Sequence, residues 1–333
     1  MTKINTDNRY NAEFLKELCG LPLERKVGLT LARIIEFHQH YDGNVYVSFS
    51  GGKDSSVLLH LVRGMYPDVP AVFVDTGLEH PGVRELALST PNVTVLRPAK
   101  SFATVISEYG YPVGGKEVAT IVYNIRRSVE LHGVMSPCYQ RRFDECSKGQ
   151  NNYNRFMFSA YKRASRLLDA PFKISHKCCN VMKKSPCVSY ERITGRYPII
   201  GTMTEESALR RNSWLRHGCN NFNNNRPKSN PMSFWTENDV LEYIVAKGIP
   251  IAREYGDIVR GDDGRLRTTG LKRTGCMFCL FGIEHDGTPN RIQRLAETNP
   301  KIYRHLIEKM EYGKVMDWLG VPYLPVDNKG HEK

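Results

Sequence analysis

Short apolar runs alternate with helical patterns of apolar and polar residues along much of the chain. Four apolar runs have strand length, and they predict strands at residues 44–49, 71–75, 93–97 and 198–202. Helical patterns lie before, between and after these runs, at residues 12–19, 27–40, 56–62, 82–89 and 205–211. Strands that alternate with helices predict an α/β fold with a doubly wound parallel sheet, which binds ligands at the carboxyl ends of its strands.

The segment 112–190, between the third and fourth predicted strands, has no strand pattern and is strongly basic. We predict a helical insertion here. Its positive charges are interleaved with aromatic residues, a combination that suits phosphate backbones and unstacked bases. The residues predicted to contact nucleic acid are Arg126, Arg127, Arg141, Arg142, Lys162 and Arg163. The alternative interpretation is a solvated helical surface whose aromatic residues belong to the core.

Composition limits the class of protein. The 333 residues are 41% hydrophobic and 25% charged, as in soluble globular proteins, and the formal charge of +12 favours a polyanionic partner. No apolar stretch reaches membrane-spanning length and the N-terminus lacks a signal-peptide pattern, so we expect a cytoplasmic protein without a membrane partner and with reduced cysteines. We predict three parts: N-terminal helices (1–43), the domain that carries the sheet and the insertion (44–230), and a C-terminal helical lobe (231–333).

The first predicted strand and the next helix are joined by the run Ser-Gly-Gly-Lys-Asp-Ser at residues 50–55. Glycines let a ligand approach the backbone, and free amides at a helix start attract phosphate oxygens. Lys53 adds a mobile positive charge, Asp54 a carboxylate for Mg²⁺ and Ser55 a hydroxyl, and these three are the predicted catalytic residues. Nucleotide contacts are predicted at Ser48, Ser50, Gly51, Gly52 and Ser56. The alternative is a plain turn of small polar residues.

Two close cysteine pairs, Cys178-Cys179 and Cys276-x-x-Cys279, are candidates for one metal centre. Four thiolates can hold zinc or a [4Fe–4S] cluster. Adjacent cysteines suit a single tetrahedral ion poorly, and a C-x-x-C pair also serves redox chemistry. From the residues alone, zinc, an iron–sulfur cluster and plain thiols all remain open.

The glycine-rich run resembles the PP-loop, S-G-G-x-D-S, of the ATP pyrophosphatase superfamily, and not the usual phosphate-binding fingerprints. Residues 73–79, 201–210 and 231–244 are similar to segments of the phosphoadenylylsulfate (PAPS) reductase-like branch. The resemblance implies an adenine nucleotide α-hydrolase-like (HUP) fold, ATP and Mg²⁺ as ligands, and nucleotide contacts at Asp75, Thr76, Gly201 and Arg210. The cysteine pattern is similar to that of adenylylsulfate reductases, which implies a [4Fe–4S] cluster on Cys178, Cys179, Cys276 and Cys279, with zinc as the alternative.

Sulfonucleotide reductases carry a nucleophilic cysteine in a C-terminal E-C-G-[LI]-H segment, whereas the last cysteine here is Cys279. The chain therefore resembles most the DndC- and SspD-type enzymes. That resemblance implies an ATP pyrophosphatase that adenylylates an acceptor oxygen for sulfur insertion in DNA phosphorothioate modification. The implied partners are DNA in preference to tRNA, a cysteine desulfurase as sulfur donor, and other modification subunits. The alternatives are a sulfonucleotide reductase, a tRNA thiolation enzyme and a nucleic-acid-binding iron–sulfur protein without catalysis.

Overall fold

The computed structural model of the chain describes residues 10–148 and 155–326. The described residues group into two compact units. Unit 1 comprises the residues up to Asp75, together with Glu79–Arg97 and Cys187–Thr274. Unit 2 comprises Thr76–Leu78, Pro98–Pro186 and the residues from Gly275 onward. Within the described ranges, no helix has both the length and the apolar character needed to cross a bilayer.

The strands of the described residues form two sheets in unit 1. In chain order they are β1 (Val45–Ser48), β2 (Ala71–Val74), β3 (Val93–Leu96), β4 (Tyr197–Ile200), β5 (Asn220–Asn221), β6 (Lys228–Ser229), β7 (Ile258–Arg260) and β8 (Leu266–Thr268). The larger sheet has the order β3-β2-β1-β4-β6-β5, and its pairs are parallel except for β5 with β6. Val47 of β1 lies opposite both Ala71 and Ile199, so β1 is a central strand. Strands β7 and β8 form a separate antiparallel pair.

The helices account for most of the remaining regular structure. In chain order the α-helices are α1 (Ala12–Cys19), α2 (Leu23–His40), α3 (Lys53–Met65), α4 (Pro81–Ser89), α5 (Phe102–Tyr109), α6 (Lys116–His132), α7 (Pro137–Ser147), α8 (Arg155–Leu168), α9 (Ser185–Thr194), α10 (Ala208–His217), α11 (Glu237–Lys247), α12 (Arg291–Thr298), α13 (Pro300–Arg304) and α14 (Tyr312–Leu319). Short π-helical turns occur at Asn180–Lys184 and His305–Lys309.

Capping residues explain where helix α11 begins. The Thr236 hydroxyl accepts a hydrogen bond from the Asp239 amide, and the Asp239 carboxylate accepts one from the Thr236 amide, which forms a capping box. The buried Lys26 ammonium of α2 also donates to that carboxylate, at 2.6 Å. A local cap and a long-range ion pair therefore share one side chain, which joins α2 to the start of α11.

Each unit has its own apolar core. In unit 1 the central strands supply fully buried residues such as Val47 and Phe73, and α3 adds Val57 and Leu58. In unit 2 the core is helical, with Ile125 of α6 and residues of α8 and α14 among its buried members. Burial of this apolar surface is the main favourable contribution to the stability of each unit.

The predicted α/β fold with a mostly parallel central sheet is confirmed. The four predicted strands are present with slightly shorter bounds, because a short apolar run indicates that a strand exists better than it indicates where the strand ends. The insertion is mainly helical, as expected, apart from one isolated bridge between Tyr111 and Ile174. The two units do not coincide with the predicted linear division. Residues 231–274 belong to unit 1, because α11 packs on α3.

Candidate functional site

The glycine-rich loop lies between the carboxyl end of β1 and the start of α3, as the sequence predicts. Gly51 has φ 71°, a conformation that L side chains rarely adopt. A Cβ at this position would lie 2.5 Å from the Val83 carbonyl oxygen. Gly51 is therefore required both by the backbone turn and by the close approach of α4.

Replacing Gly51 by alanine is expected to cost about 1–3 kcal/mol of stability, because the new methyl group is strained by its φ and collides with a carbonyl. Anion binding at the loop should weaken with it. The matched control is Gly64→Ala in α3, the helix that follows the loop, where a Cβ meets nothing within 4 Å and the substitution should be neutral or stabilising. Chemical denaturation of both variants checks this, and equal stabilities would contradict the role of Gly51.

The serine hydroxyls of the loop bind the loop's own backbone. Ser55 Oγ donates to the Gly52 carbonyl at 2.9 Å and accepts from the Ser50 amide at 3.2 Å. Ser56 Oγ donates to the same carbonyl at 3.2 Å, and the Ser50 and Ser55 hydroxyls lie 3.0 Å apart. Ser48 ends β1 just before the loop. These hydroxyls shape the turn, so amides and Lys53 are the better donors for an anion.

Lys53 opens α3 and is buried, with 3% of its side chain exposed. Its ammonium donates to the Lys272 carbonyl at 2.9 Å and lies 3.4 Å from the Glu237 carboxylate. The same carboxylate lies 3.2 Å from the Lys272 ammonium. The predicted catalytic cation is thus held inside unit 1 by a carbonyl and a shared carboxylate.

Asp54 follows Lys53, and its Oδ1 lies 3.9 Å from the Lys53 ammonium. This oxygen is buried and has no hydrogen-bond partner among the described residues. Burial raises the pKa of the Asp54 carboxyl, while the neighbouring Lys53 and Arg273 oppose that shift. A divalent cation would supply the missing partner and favour the ionised form, so the residue fits the predicted Mg²⁺.

The remaining predicted nucleotide contacts lie around other strand ends. Asp75, after β2, accepts two hydrogen bonds from the Arg84 guanidinium at 2.8 and 2.9 Å. Gly201 follows β4, and a Cβ there would lie 3.0 Å from the Asp54 carbonyl oxygen, so this glycine permits a close approach to the loop helix. Arg210 pairs with Glu206 one turn earlier on the chain.

Thr76, the last predicted nucleotide contact, belongs to unit 2. Its hydroxyl accepts from the Leu78 amide at 3.2 Å, which stabilises a local turn. The strand-end residues within unit 1 are therefore placed as the fold class predicts, whereas Thr76 has a local structural role.

A cleft of about 830 Å³ opens in unit 1 beside Glu237, the carboxylate that contacts Lys53. A volume of this size accommodates a nucleotide. The cleft is lined by Glu205, Thr236, Glu237, Asn238, Asp263, Arg265, Leu266, Arg267, Thr268 and Lys272. Sequence reasoning missed the contribution of the β7–β8 hairpin because hairpin residues 258–268 carry no recognisable motif.

Two further residues at the loop were also missed. The Lys53 amide donates to the Tyr255 hydroxyl at 3.2 Å, and that hydroxyl lies 2.7 Å from the Thr274 hydroxyl. These residues lie more than 200 positions after the loop, so only the tertiary structure brings them to it.

The four predicted metal-ligating cysteines all belong to unit 2. Cys178 and Cys179 immediately precede the π-helical turn, with their sulfurs 4.0 Å apart, and the Cys279 amide donates to the Cys276 carbonyl at 3.2 Å. Each of Cys276 and Cys279 raises the pKa of Cys178 through its charge. Among the described residues, no group of three or more Cys, His, Asp or Glu side chains lies close enough together to hold one metal ion. The donor set is nevertheless chemically that of an all-thiolate centre.

The two adjacent thiols are hydrogen-bonded to each other. Cys178 donates to Cys179, and this hydrogen bond lowers the pKa of Cys179 to about 6, with help from Lys116, Lys183 and Lys184. The same hydrogen bond, followed by burial, raises the pKa of Cys178. Thiolates are the form that binds metals, so the lysines favour metal binding by stabilising one of them.

Some arginines and lysines of the basic insertion are hydrogen-bonded within unit 2, and others are exposed. Arg127, Arg141, Lys162 and Arg163 are exposed, and Arg142 donates to the Tyr161 hydroxyl at 3.1 Å. Arg126 instead donates to four backbone carbonyls, those of Leu167, Leu168, Ala170 and Phe172, at 2.6–3.1 Å. Its guanidinium satisfies the carbonyls at the end of α8, which leaves the exposed cations as the better candidates for nucleic-acid contacts.

Arg126→Ala is expected to lower the stability of unit 2 by about 3 kcal/mol, because several carbonyls lose a charged donor. Arg127→Ala removes the neighbouring exposed guanidinium and should change stability by less than about 0.5 kcal/mol. Thermal unfolding of the two variants provides the comparison. If both variants unfold like the parent protein, the capping role of Arg126 is refuted.

Two curated relatives match part of the chain, both with 31% identity over 119 residues. They are the phosphoadenosine 5'-phosphosulfate reductases of Xanthomonas euvesicatoria pv. vesicatoria (strain 85-10) and Xanthomonas axonopodis pv. citri (strain 306). The match covers 34% of this chain and 46% of each relative, so the chain spans about half the length of these proteins.

Two solved structures are similar at low identity. The PAPS reductase from Candida auris in a phosphate complex has a TM-score of 0.35 and 13% identity, over 73% of this chain and 90% of its own. The Candida glabrata FMN adenylyltransferase has a TM-score of 0.37 and 10% identity, over 73% of this chain and 66% of its own.

A family model matches a larger part of the chain. The phosphoadenosine phosphosulfate reductase domain aligns with residues 44–114 and 137–279. These stretches include β1 and its loop, Asp75, Gly201 and the four cysteines predicted as metal ligands. They amount to more than half of the sequence. The chain therefore belongs to the phosphoadenosine phosphosulfate reductase domain family.

Proposed function

We propose that the loop of unit 1 binds an adenine nucleotide and that the protein is an enzyme acting at the anhydride next to the adenylyl phosphate. The observation that carries this proposal is the position of buried Lys53 at the N-terminus of α3, directly after Gly51 and Gly52 at the end of a central strand. Backbone amides, a helix dipole and a cation then act on the same anionic group. Both sulfonucleotides and ATP carry such an anhydride.

Sulfonucleotide reduction is the first candidate, and it is the one that the comparisons favour. In this reaction a thiolate attacks the sulfur atom, the bond from sulfur to the bridging oxygen breaks, and the nucleotide leaves as its phosphate. A second thiol then releases sulfite and leaves a disulfide. In unit 1, burial raises the pKa of each described thiol, namely Cys19, Cys187 and Cys219. Among the described thiols of unit 1, none therefore has the lowered pKa that favours an attacking thiolate.

ATP cleavage between the α and β phosphates is the second candidate, and the side chains of the loop favour it. Lys53 can neutralise charge on departing pyrophosphate, and Asp54 offers a buried oxygen for Mg²⁺. An acceptor oxygen would attack the α-phosphate and expel pyrophosphate, after which a sulfur nucleophile would displace AMP. If the reaction belongs to DNA phosphorothioate modification, DNA is the acceptor and a cysteine desulfurase supplies the sulfur. Further subunits of the modification system then take part. A tRNA thiolation enzyme would use the same chemistry.

A [4Fe–4S] cluster in unit 2 is part of both candidates, with zinc as the alternative. The support is the all-sulfur donor set of Cys178, Cys179, Cys276 and Cys279 within one unit. When bound, the cluster would supply electrons or a binding position for sulfur. The exposed cations Arg127, Arg141, Lys162 and Arg163 support a nucleic-acid partner for the second candidate.

One experiment with two arms separates the candidates. Anaerobically prepared protein is given PAPS with a dithiol reductant, and sulfite is measured. In the other arm it is given α-labelled ATP and Mg²⁺, alone, with duplex DNA and with tRNA, and AMP and pyrophosphate are measured. Sulfite release supports the reductase, and AMP release stimulated by one nucleic acid supports adenylylation of that acceptor. Turnover in neither arm, together with no nucleotide binding, would reject the proposal.

A further inference from the structure

Two hydroxyl groups from a distant part of the chain meet the anion loop of unit 1. Tyr255 Oη accepts a hydrogen bond from the Lys53 amide at 3.2 Å and lies 2.7 Å from Thr274 Oγ1. That amide belongs to the first residue of α3, where backbone N–H groups have no partner within the helix. The hydroxyl oxygen therefore lies within hydrogen-bond distance of an amide that a bound anion would also use.

The Tyr255 ring is held firmly in this position. The residue is 2% exposed and packs with Val83 and Ala252 in a small apolar cluster. The preceding Glu254 carboxylate accepts from the Gly82 amide at 2.7 Å, and the Gly270 amide donates to the Tyr255 carbonyl at 2.8 Å. The packing of the ring and the hydrogen bonds of its neighbouring backbone therefore place the hydroxyl beside the loop.

Gly52 leaves the space that these hydroxyls use. A Cβ at Gly52 would lie 3.2 Å from Tyr255 Oη and 3.5 Å from Thr274 Oγ1. The Lys53 amide and two hydroxyls thus converge beside a residue without a side chain. Hydroxyl groups can donate as well as accept, so the pair can change roles when an anion takes over the amide.

We propose that Tyr255 and Thr274 complete the anion cradle and donate hydrogen bonds to the terminal anionic group of the nucleotide. This inference rests on the proposed nucleotide site. Without ligand, Tyr255 Oη accepts from the amide. With ligand, an anionic oxygen accepts from the amide, and the hydroxyl hydrogens of Tyr255 and Thr274 turn toward it. The group recognised is a sulfate in a sulfonucleotide or a phosphate in ATP.

The test is the affinity of Tyr255→Phe for three probes: ATP, adenylyl sulfate and adenosine. Phenylalanine keeps the ring and its packing but removes the donor. The wild type is expected to bind one of the two anionic nucleotides. The affinity of Tyr255→Phe for that nucleotide should be about tenfold lower, because a hydrogen bond to a charged group is lost. Binding of adenosine and the unfolding temperature should not change. Thr274→Val should act in the same direction.

The matched control is Tyr243→Phe, which removes another buried tyrosine hydroxyl of unit 1, one that lies 3.1 Å from His60 Nδ1 and away from the loop. This control should bind each probe like the wild type. If the wild type binds an anionic nucleotide and Tyr255→Phe binds it equally well or more tightly, the donor role is overturned while the nucleotide site stands. If the wild type binds neither ATP nor adenylyl sulfate, the proposed function and this inference both fall.

Discussion

Replacing Lys53 by methionine is expected to reduce turnover at least about 100-fold while the protein stays folded. In either candidate reaction the bond that breaks leaves negative charge at the loop, on pyrophosphate in ATP cleavage and on the adjoining adenylyl phosphate in sulfonucleotide reduction. The Lys53 ammonium is buried in a site of low effective dielectric, where a fixed positive charge stabilises such charge far better than in water.

Methionine is a suitable replacement because its unbranched side chain fills the space of the buried lysine stem. Glu237 keeps a cationic neighbour in this variant, since the Lys272 ammonium lies 3.2 Å from its carboxylate. The unfolding temperature should therefore fall only slightly. Turnover is measured by whichever product the wild type forms, sulfite or AMP.

Lys16→Met on α1 is the matched control, because it removes an exposed lysine of the same unit. It should leave both turnover and stability unchanged. A folded Lys53→Met protein with wild-type turnover would refute the catalytic assignment of Lys53. The nucleotide site could then still bind its ligand, and affinity measurements would show this separately.

Replacing Cys276 by serine is expected to abolish assembly of the proposed cluster. A [4Fe–4S] cluster is held by four cysteine thiolates, and the four cysteines predicted as its ligands, Cys178, Cys179, Cys276 and Cys279, all belong to unit 2. After anaerobic reconstitution the wild type should contain about four iron atoms per chain and the variant almost none. Iron and acid-labile sulfide analysis, with the visible absorption spectrum, checks the expectation.

Cys138→Ser provides the matched control, because Cys138 is an exposed cysteine of unit 2 on α7. It should keep the full iron content. Iron retained by Cys276→Ser would reject this ligand set. Wild-type protein that binds about one zinc ion and no iron would instead support the zinc alternative.

A metal centre on these cysteines is expected to stabilise unit 2. Tyr312 is buried in the unit 2 core, its hydroxyl donates to the Phe278 carbonyl at 3.1 Å, and burial followed by the charges of Cys279, Cys178 and Cys276 raises its pKa. The thiols therefore lie against the apolar core of the unit. A ligand that binds only the folded unit stabilises it, so removal of metal should lower the unfolding temperature.

Much of the loop's conformation could be predicted from the sequence, because neighbouring residues determine it. A buried strand, two glycines and a helix start lie within about twenty consecutive residues, and each constrains the backbone of its neighbours. The position of Lys53 follows directly from that order. The partners of the Ser55 and Ser56 hydroxyls could not be predicted in this way, since both hydroxyls donate to the loop's own backbone and stabilise the turn.

The basic insertion shows a second limit. Arg126 and Arg127 are adjacent and chemically identical, yet one guanidinium binds four carbonyls and the other is exposed. Neighbouring residues on a helix face different directions, and only the packing of α6 against α8 decides which of them meets the α8 end. Composition therefore indicates a basic surface without identifying its members.

The sequence by itself determined the α/β fold class, the four main strands and the position of the glycine-rich loop, whereas the metal centre on the four cysteines stays a prediction. The fold class, the strands and the loop follow from periodicity and turn chemistry. The tertiary structure alone decided the contact of Tyr255 and Thr274 with the loop, the capping role of Arg126 and the discontinuous composition of the two units. The reason is physical: these features join residues far apart in the chain, and side-chain packing selects such pairs only once the chain has folded.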